Sequence, residues 1–332
     1  MKEAFEKIIA GRHLSADEME GCFDLIMGGM ATDAQIAGFL TALRIKGETV
    51  EEIAAAASVM RRHATRVTTG CSTVLDTCGT GGDNASTFNI STAVAFVMAG
   101  AGVKVAKHGN RSVSSSSGSA DCLEALGVPI DLGPQEAARM VNETGFCFLF
   151  APLYHPSMKH AMPARRQLGI RTVFNVLGPL ANPANATHQV IGVYSSSLVE
   201  PICEVLYALG LEGAMVVNGG LDEVSISGPT VYARIRGSKI EKGEIRPEDA
   251  GLEPMPGHEL RVGSPAESAA LIEELFTGKR RGACLNSLLM NAAAAFMALD
   301  PSVDVAEGVR LARGVIEGGK ALEALDRARG RA

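Results

Sequence analysis

The chain has 332 residues, 46% of them hydrophobic and 20% charged, which suits a folded protein with a sizeable core and excludes collagen-like, disordered and disulfide-scaffold classes. At about 100 to 200 residues per domain, the length suggests two domains or one large α/β unit with an accessory piece. Its 31 basic and 37 acidic residues give a net charge of -6, so no overall cationic field gathers nucleic acid and any bound anion must be held locally.

The N-terminal stretch MKEAFEKIIAGRHLSADE mixes charges into its apolar positions and lacks the apolar run and cleavage site of a signal peptide. Up to about residue 65 the pattern predicts three or four short helices. Ser15 with Glu18, and Thr49 with Glu52, match the S/T-x-x-E capping box, in which side chains satisfy the free N–H groups of a helix start. Ile36, Phe39, Leu40 and Leu43 share one helical face and mark packing. The expected organisation is a small helical domain over residues 1–68, completed by part of 160–185, and a larger domain over 69–332.

From about residue 70, short β-favouring runs (Thr73–Leu75, Val103–Ala106, Gln189–Tyr194, Ala214–Val217) alternate with Ala-rich helical stretches. That alternation predicts an α/β fold with a mainly parallel central sheet covered by helices. The longest nearly uninterrupted apolar stretch, Ala93–Val103, is shorter than the ~20 residues of a spanning helix and is followed by Lys104, so no membrane segment is expected. Residues 163–183 carry Gly/Pro punctuation and read as a crossing between domains with the character of a hinge. Gly237–Pro265 reads as surface excursions with room for an edge strand. Cysteines 22, 71, 78, 122, 147, 203 and 284 form no C-x-x-C pair and are odd in number, which points to reduced thiols in a cytoplasmic protein.

Four features could carry chemistry. In Asp76-Thr-Cys-Gly-Thr-Gly-Gly-Asp83 a glycine loop follows a strand-like run and precedes a helix start near Ser91, so backbone N–H groups could cradle a phosphate. The bland alternative is a flexible turn. Neither the Walker A pattern nor G-x-G-x-x-G is present, since Asn84 stands at the last required position and no Lys follows the glycines. Lys107-His-Gly-Asn-Arg-Ser-Val-Ser-Ser-Ser-Ser-Gly-Ser119 again lies between strand-like and helical runs. Lys107 and Arg111 offer cations, Ser112, Ser114, Ser115 and Ser119 offer hydroxyls, and Ser119 is placed as a helix N-cap. Without its basic residues such a run would read as a linker. Asp222 and Glu223 follow the run Ala214–Val217 at a strand end, where hard cations such as Mg²⁺ take carboxylate oxygens together with waters and phosphates; alone, the pair would read as a solvated loop. Arg165, with Arg166 and Arg171, sits in the suspected crossing and offers a fork for a planar carboxylate, or else a domain-bridging salt bridge. His108 and His155 could touch a substrate or serve as structural hydrogen-bonding residues.

Taken together, GETVEEI at Gly47–Ile53, GTGGD at Gly79–Asp83, NIST at Asn89–Thr92, KHGNRSVSS at Lys107–Ser115, GSAD at Gly118–Asp121 and RRQLGIRTVFNVLGPLANP from Arg165 to Pro183 resemble the anthranilate phosphoribosyltransferase family over nearly the full chain. The resemblance implies transfer of phosphoribose from 5-phosphoribosyl-1-pyrophosphate to the amino group of anthranilate, a step of tryptophan synthesis, with release of pyrophosphate and help from Mg²⁺. It implies a helical domain joined to an α/β domain, commonly as a homodimer, with no nucleic-acid or membrane partner. Carried over residue by residue, Gly79, Gly82, Asp83, Thr87, Asn89, Ile90, Ser91, Thr92, Lys107, His108, Gly109, Asn110, Arg111, Ser112, Val113, Ser114, Ser115 and Ser119 would hold the phosphoribosyl donor. Gly79, Asn110 and Arg165 would line the anthranilate site with His108 close by, and Ser91, Asp222 and Glu223 would ligate magnesium directly or through water. Two places depart from the family pattern: Ser116 stands where a basic or longer polar residue is expected, and Val217-Asn-Gly-Gly-Leu221 replaces a His-Gly version before the acidic pair.

An aromatic amine is neutral near pH 7 and carries its lone pair, so no covalent nucleophile or general base is assigned. Closure about Arg165–Pro183 would exclude water. Two rivals remain at this point: a pyrimidine nucleoside phosphorylase, which would use free phosphate and need no acidic pair, and a noncatalytic nucleic-acid-binding relative, which the net charge opposes.

Overall fold

The computed structural model describes residues 1–81, 86–111 and 117–330. Four helices open the chain: α1 (Lys2–Ile9), α2 (Ala16–Met27), α3 (Asp33–Lys46) and α4 (Val50–His63). Both expected capping boxes form, with Glu18 N donating to Ser15 Oγ at 3.3 Å and Glu52 N to Thr49 Oγ1 at 3.2 Å. A third, unforeseen one pairs Thr32 with Gln35, a glutamine serving where glutamate was sought. Glu52 does more than cap. Fully buried, it also accepts from Leu14 N at 2.8 Å and from Lys46 Nζ at 2.7 Å, tying the α1–α2 connection to the end of α3.

The remainder alternates strand and helix: β1 (Leu75–Gly79), α5 (Ile90–Gly100), β2 (Val105–Gly109), α6 (Ser119–Ala125), α7 (Pro134–Thr144), β3 (Phe146–Phe150), α8 (Ala151–Tyr154), α9 (Met162–Leu168), α10 (Phe174–Leu180), β4 (His188–Gly192), α11 (Val199–Ala208) and β5 (Gly213–Asn218). The antiparallel hairpin β6 (Thr230–Arg236) and β7 (Lys239–Ile245) follows, then α12 (Pro265–Phe276), α13 (Ala283–Leu299), α14 (Val305–Glu317) and α15 (Lys320–Ala328). The sheet order is β3-β2-β1-β4-β5-β6-β7, with β1 to β5 parallel and β6 and β7 antiparallel. From β1 the chain winds outward in both directions, so the crevice at a parallel sheet's carboxyl ends opens beside β1.

Both faces of the sheet are covered. On β5, Met215 and Val217 join Phe96, Phe146 and the Ala-rich α13 in one apolar cluster, while Ala214 and Val216 join α11 and the N-terminal helices in another. This is the two-residue alternation of a strand buried on both sides. Segment 163–183 forms α9 and α10, whose Ala164, Phe174, Leu177 and Leu180 cluster with Phe23, Leu40 and Met60 of the first helices. The two passages between helical and α/β parts run together, with Thr65 N bonded to Tyr154 O at 2.8 Å and Val67 N to Pro183 O at 3.0 Å.

Three local expectations need correction. The strand expected at Thr73–Leu75 begins at Leu75 and runs to Gly79, and that at Val103–Ala106 runs over Val105–Gly109, so Asp76, Lys107 and His108 lie on strands rather than in loops. Polar residues at these ends hid the strands from a hydrophobic reading. Ser119 is the first helical residue of α6 and Gly118 is its N-cap. The edge strand expected within Gly237–Pro265 is found: Gly237 lies in the turn of the β6–β7 hairpin and β7 is the edge of the sheet. All seven cysteines are free, and among the described residues no helix is long and apolar enough to cross a membrane.

Candidate active site

The site gathers at the carboxyl ends of β1, β2, β4 and β5. Gly79 of β1 and Gly192 of β4 are register partners, and the loop bearing Asp222 lies against both. A Cβ on Gly192 would fall 1.5 Å from Asp222 O, and one on Gly79 would fall 2.6 Å from Asp222 Oδ2, so only glycine permits this approach. Gly81, at φ +63°, donates its N–H to Asp222 Oδ2 at 2.8 Å, and Thr80 N donates to Gly192 O at 2.9 Å. The glycine loop is thus braced by the acidic loop.

The acidic loop has its own supports. Asn218 donates through Nδ2 to Val193 O at 2.7 Å and to Leu221 O at 3.2 Å. Asn291, the lone carboxamide on the buried face of α13, accepts from Val224 N at 2.9 Å and donates to Val224 O at 3.1 Å. Together with Thr77, Gly79 and Gly192, the residues Ser91, Asp222, Glu223 and Asn291 line a hollow of about 20 Å³, room for one water-sized occupant. Among the described residues no three His, Cys, Asp or Glu side chains form a self-sufficient metal cage. The oxygen-donor set of two carboxylates and one hydroxyl fits Mg²⁺, which keeps most of its coordination for waters and substrate phosphates.

Helix α5 points its N-terminus at the same place, with no acidic residue in its first turn and no side-chain cap. In that turn Ile90 N donates to Phe88 O at 2.6 Å, and Thr92 N and Ala93 N donate to Asn89 O at 3.1 and 3.0 Å, so what the turn offers an anion is chiefly the partial positive charge of the helix end. Asn89, at its N-cap, is used elsewhere: Oδ1 accepts from Ser117 Oγ at 2.7 Å and Ser268 Oγ at 2.8 Å, joining the serine-rich segment, α5 and α12. The Ile90 side chain is in the core, so only its backbone can face a ligand. Thr92 Oγ1 is buried with no partner among the described residues, and Thr87 forms a bridge with Arg261.

Both cations expected to face phosphate are engaged within the protein. Lys107 is 1% exposed, its Nζ bonded to Thr77 O and to Ser91 Oγ at 3.1 Å, and burial lowers its pKa against the pull of Asp76, Cys78 and Glu223. Alternation along β2 turns it under the glycine loop. Arg111, exposed, pairs with Asp121 at 2.7 Å and Glu124 at 2.6 Å and lies 5.7 Å from the centre of the Phe150 ring. Gly109 is required by close packing, since a Cβ there would fall 2.3 Å from Ser119 Oγ. Ser119 Oγ itself donates to Asn110 O at 3.2 Å. Gly82, Asp83, Ser112, Val113, Ser114, Ser115 and Ser116 lie outside the described residues.

On the side toward the first helices a cleft of about 580 Å³ opens, walled by Gly79, His108, Asn110, His155, Arg165 and Phe174. Arg165 lies 4.9 Å over the Phe174 ring, and burial lowers its pKa. Its side-chain hydrogen-bond contact is the Met162 sulfur at 3.9 Å, and among the described residues no carboxylate pairs with it. A half-buried guanidinium without a counter-charge is a receptor for one. His108 hydrogen-bonds through Nδ1 to Gly178 O at 3.2 Å, and burial first, then His155, pushes its pKa down to about 3. His155, which the motifs left without a role, is likewise pushed by burial to about 4.

The structure therefore brings Gly79, Ser91, Asp222 and Glu223 together around one hollow, and Gly79, His108, Asn110 and Arg165 around one cleft. Sequence reasoning missed Ser117, Ser268, Asn182, Gln189 and Asn291; of these, only Asn291 left a legible trace, a carboxamide amid an apolar helix.

Residues 2–64 match the family model described as the helical bundle domain of a glycosyl transferase family, and residues 71–322 match the a/b domain of that family. Anthranilate phosphoribosyltransferase of Persephonella marina is 49% identical over 332 residues, covering 99% of this chain and 98% of the relative. The crystal structure of the enzyme of that name from Thermus thermophilus superposes with a TM-score of 0.92 at 39% identity, over 99% of this chain and 98% of that one. The one from Saccharomyces cerevisiae, solved in complex with PRPP and Mg, gives 0.90 at 30% identity, over 99% and 96%. At this identity and coverage, with the two-domain fold and paired clefts in place, the chain belongs to the anthranilate phosphoribosyltransferase family.

Proposed function

We infer that this chain transfers phosphoribose from 5-phosphoribosyl-1-pyrophosphate (PRPP) to the amino group of anthranilate, giving N-(5-phosphoribosyl)anthranilate and pyrophosphate in tryptophan biosynthesis. Family membership carries the reaction, and the half-buried Arg165 guanidinium, with no carboxylate partner among the described residues, in a cleft bordered by the glycine loop supports this place for the acceptor. A planar ortho-amino carboxylate would present its carboxylate to Arg165 and its amine toward Gly79 and His108. Nε2 of both His108 and His155 is buried with no partner among the described residues, so these neutral rings can accept an N–H and leave the amine lone pair aimed at the sugar.

The donor diphosphate would be held by the glycine loop and the α5 N-terminus, through Gly79, Gly82, Asp83, Thr87 and Asn89 to Thr92, together with the segment from Lys107 to Ser115. Asp222, Glu223 and Ser91 would hold Mg²⁺, which when bound offsets the negative charge gathering on the leaving pyrophosphate. The amine nitrogen forms the new bond to the anomeric carbon, the bond to the pyrophosphate oxygen breaks, and the proton of the resulting ammonium passes to solvent. Positioning and electrostatics supply the acceleration, with no covalent enzyme intermediate. A cytoplasmic homodimer belongs to the same proposal: the seven free cysteines support the compartment, and the exposed apolar residues Ile9, Met30 and Ile45 on the first helices and their connection support the dimer.

The test is direct: purified protein, Mg²⁺, PRPP and anthranilate, followed by the loss of anthranilate fluorescence. Turnover is expected to need all three. Persistent fluorescence alongside phosphorolysis of uridine or thymidine would replace this reading with the phosphorylase one.

A further inference from the structure

Strand β1 keeps register with β4 over five residue pairs, but with β2 it pairs at one, Leu75 with Val105. Beyond that point side chains take the place of the ladder. Asp76 Oδ1 accepts from His108 N at 3.0 Å, and Asn182 Nδ2 donates to Asp76 Oδ2 at 2.7 Å and to Ala106 O at 2.8 Å. Gln189 of β4 adds Nε2, donating to Pro179 O at 2.6 Å and to Asp76 Oδ2 at 3.4 Å. Ala106 and His108 direct their backbone groups toward the same edge of β2, so the gap is closed by one carboxylate and one carboxamide. Asp76 is 0% and Asn182 2% exposed.

A buried carboxylate is costly unless its oxygens are fully hydrogen-bonded, and here four donors converge on it, Cys78 Sγ at 3.6 Å being the fourth. The position of this carboxylate matters for the chemistry on either side. The residue whose N–H it holds, His108, turns its ring into the acceptor cleft, while its neighbour Lys107 reaches the opposite way to Ser91 under the donor loop. Asn182 and Pro179 belong to the crossing between the helical and α/β parts, so the same carboxylate fastens that crossing to the sheet.

We propose that Asp76 is a positioning residue for the transfer reaction: with Asn182 it splices β1 to β2 and to the interdomain crossing, fixing the register of Lys107 on the donor side and His108 on the acceptor side. The proposal rests on the transferase reading above. The charged or titratable groups facing Asp76 are Lys107 on β2, Cys78 on β1 and Cys147 on β3, and both thiols are held well above the ordinary cysteine range by burial and by Asp76 itself. Burial outweighs Lys107 and the amide donors and raises the Asp76 pKa to about 6. Protonation would set a hydroxyl against the Asn182 and Gln189 amides, so the splice holds above that pH and loosens below it.

The experiment is steady-state kinetics from pH 5 to 9, with calorimetric titration of PRPP and of anthranilate, on the wild type, Asp76→Asn and Asn182→Asp. Asp76→Asn keeps the volume but sets two amide groups against each other. It is expected to retain its circular dichroism spectrum and to lose about tenfold in kcat/KM for both substrates at pH 8. Its acid limb, present in the wild type, should be absent. Asn182→Asp sets a second carboxylate against the first and should move that limb up by about one pH unit. Wild-type kinetics in Asp76→Asn, or an acid limb unmoved in both variants, would overturn the proposal while leaving the transferase reading intact. Absence of turnover in the wild type would overturn both. If Asp76→Asn does not fold, the limb position in Asn182→Asp decides.

Discussion

The imidazole rings of His108 and His155 lie 5.0 Å apart in the wall of the cleft that Arg165 lines, and among the described residues neither has a partner on Nε2. Burial holds both neutral, His108 down to about pH 3 and His155 to about 4, whereas in the unfolded chain each would take up its proton near 6.5. Between those limits the unfolded state binds more protons, so their contribution to stability is complete above 6.5 and is lost as pH falls. Asp76 acts in the opposite sense, because its raised pKa makes the native state the better proton acceptor between 3.8 and about 6. The informative quantity is therefore the difference between variant and wild type. His108→Gln or His155→Gln should each reduce the slope of unfolding free energy against pH by about 1.4 kcal/mol per pH unit between pH 6 and 5. Urea titrations at half-unit intervals measure it, and parallel curves would remove the neutral pair from the account.

Arg165 yields a prediction about one substrate only. Its guanidinium rests on Phe174 and meets no carboxylate among the described residues. Arg165→Ala removes charge-assisted hydrogen bonds worth about 1.5 to 3 kcal/mol, so the anthranilate KM should rise by about 10- to 150-fold. Arg165→Lys should recover part of this, since a point charge replaces a fork. The PRPP KM should change little. A loss shared equally by both substrates would mean that Arg165 supports the fold rather than the acceptor.

How much of this was legible before the fold was known depended on how local each signal was. Capping boxes at Ser15 and Thr49 are written within four residues and were readable, and so was the glycine loop. Strand ends were not: Asp76, Lys107 and His108 are polar, and what makes them strand residues is pairing with β4 and β3 far along the chain. The same holds for partnerships. Nothing near Asn89 announces Ser268, which is 179 residues away, and nothing near Asp76 announces Asn182. Lys107 read as a phosphate ligand because a lysine in a serine-rich stretch suggests one. Its burial under Thr77 follows from β2 extending three residues further than its apolar run.

Gly192 sits where no ligand contact is needed to make it sensitive. A Cβ there would fall 1.5 Å from Asp222 O, a backbone atom that cannot rotate away. Gly192→Ala should therefore displace the acidic loop from the glycine loop and break the bond from Gly81 N to Asp222 Oδ2. Its expected signature matches that of Asp222→Ala: about a tenfold higher Mg²⁺ concentration for half-maximal rate and a raised PRPP KM, with the anthranilate KM within about twofold of wild type. Titrating Mg²⁺ at fixed substrates reads this out. An unchanged Mg²⁺ dependence in both variants would detach the acidic loop from the metal.

Arg111 poses a competition. Its guanidinium is held by Asp121 and Glu124 at 2.6 to 2.8 Å, yet the donor reading asks the same group to meet a diphosphate. Both cannot be satisfied together, so donor binding must work against the existing pair. That pair is exposed, and such pairs contribute about 0 to 1 kcal/mol to stability, a small barrier to exchange. Glu124→Gln should leave thermal stability nearly unchanged and lower the PRPP KM by about two- to fivefold, because Arg111 is then freer to turn. Arg111→Ala should do the reverse, raising the PRPP KM by about tenfold, and in that background Glu124→Gln should have no further effect. Additive effects in the double variant would mean that Glu124 acts on the donor by its own charge, and Arg111 would lose its place among the donor's ligands.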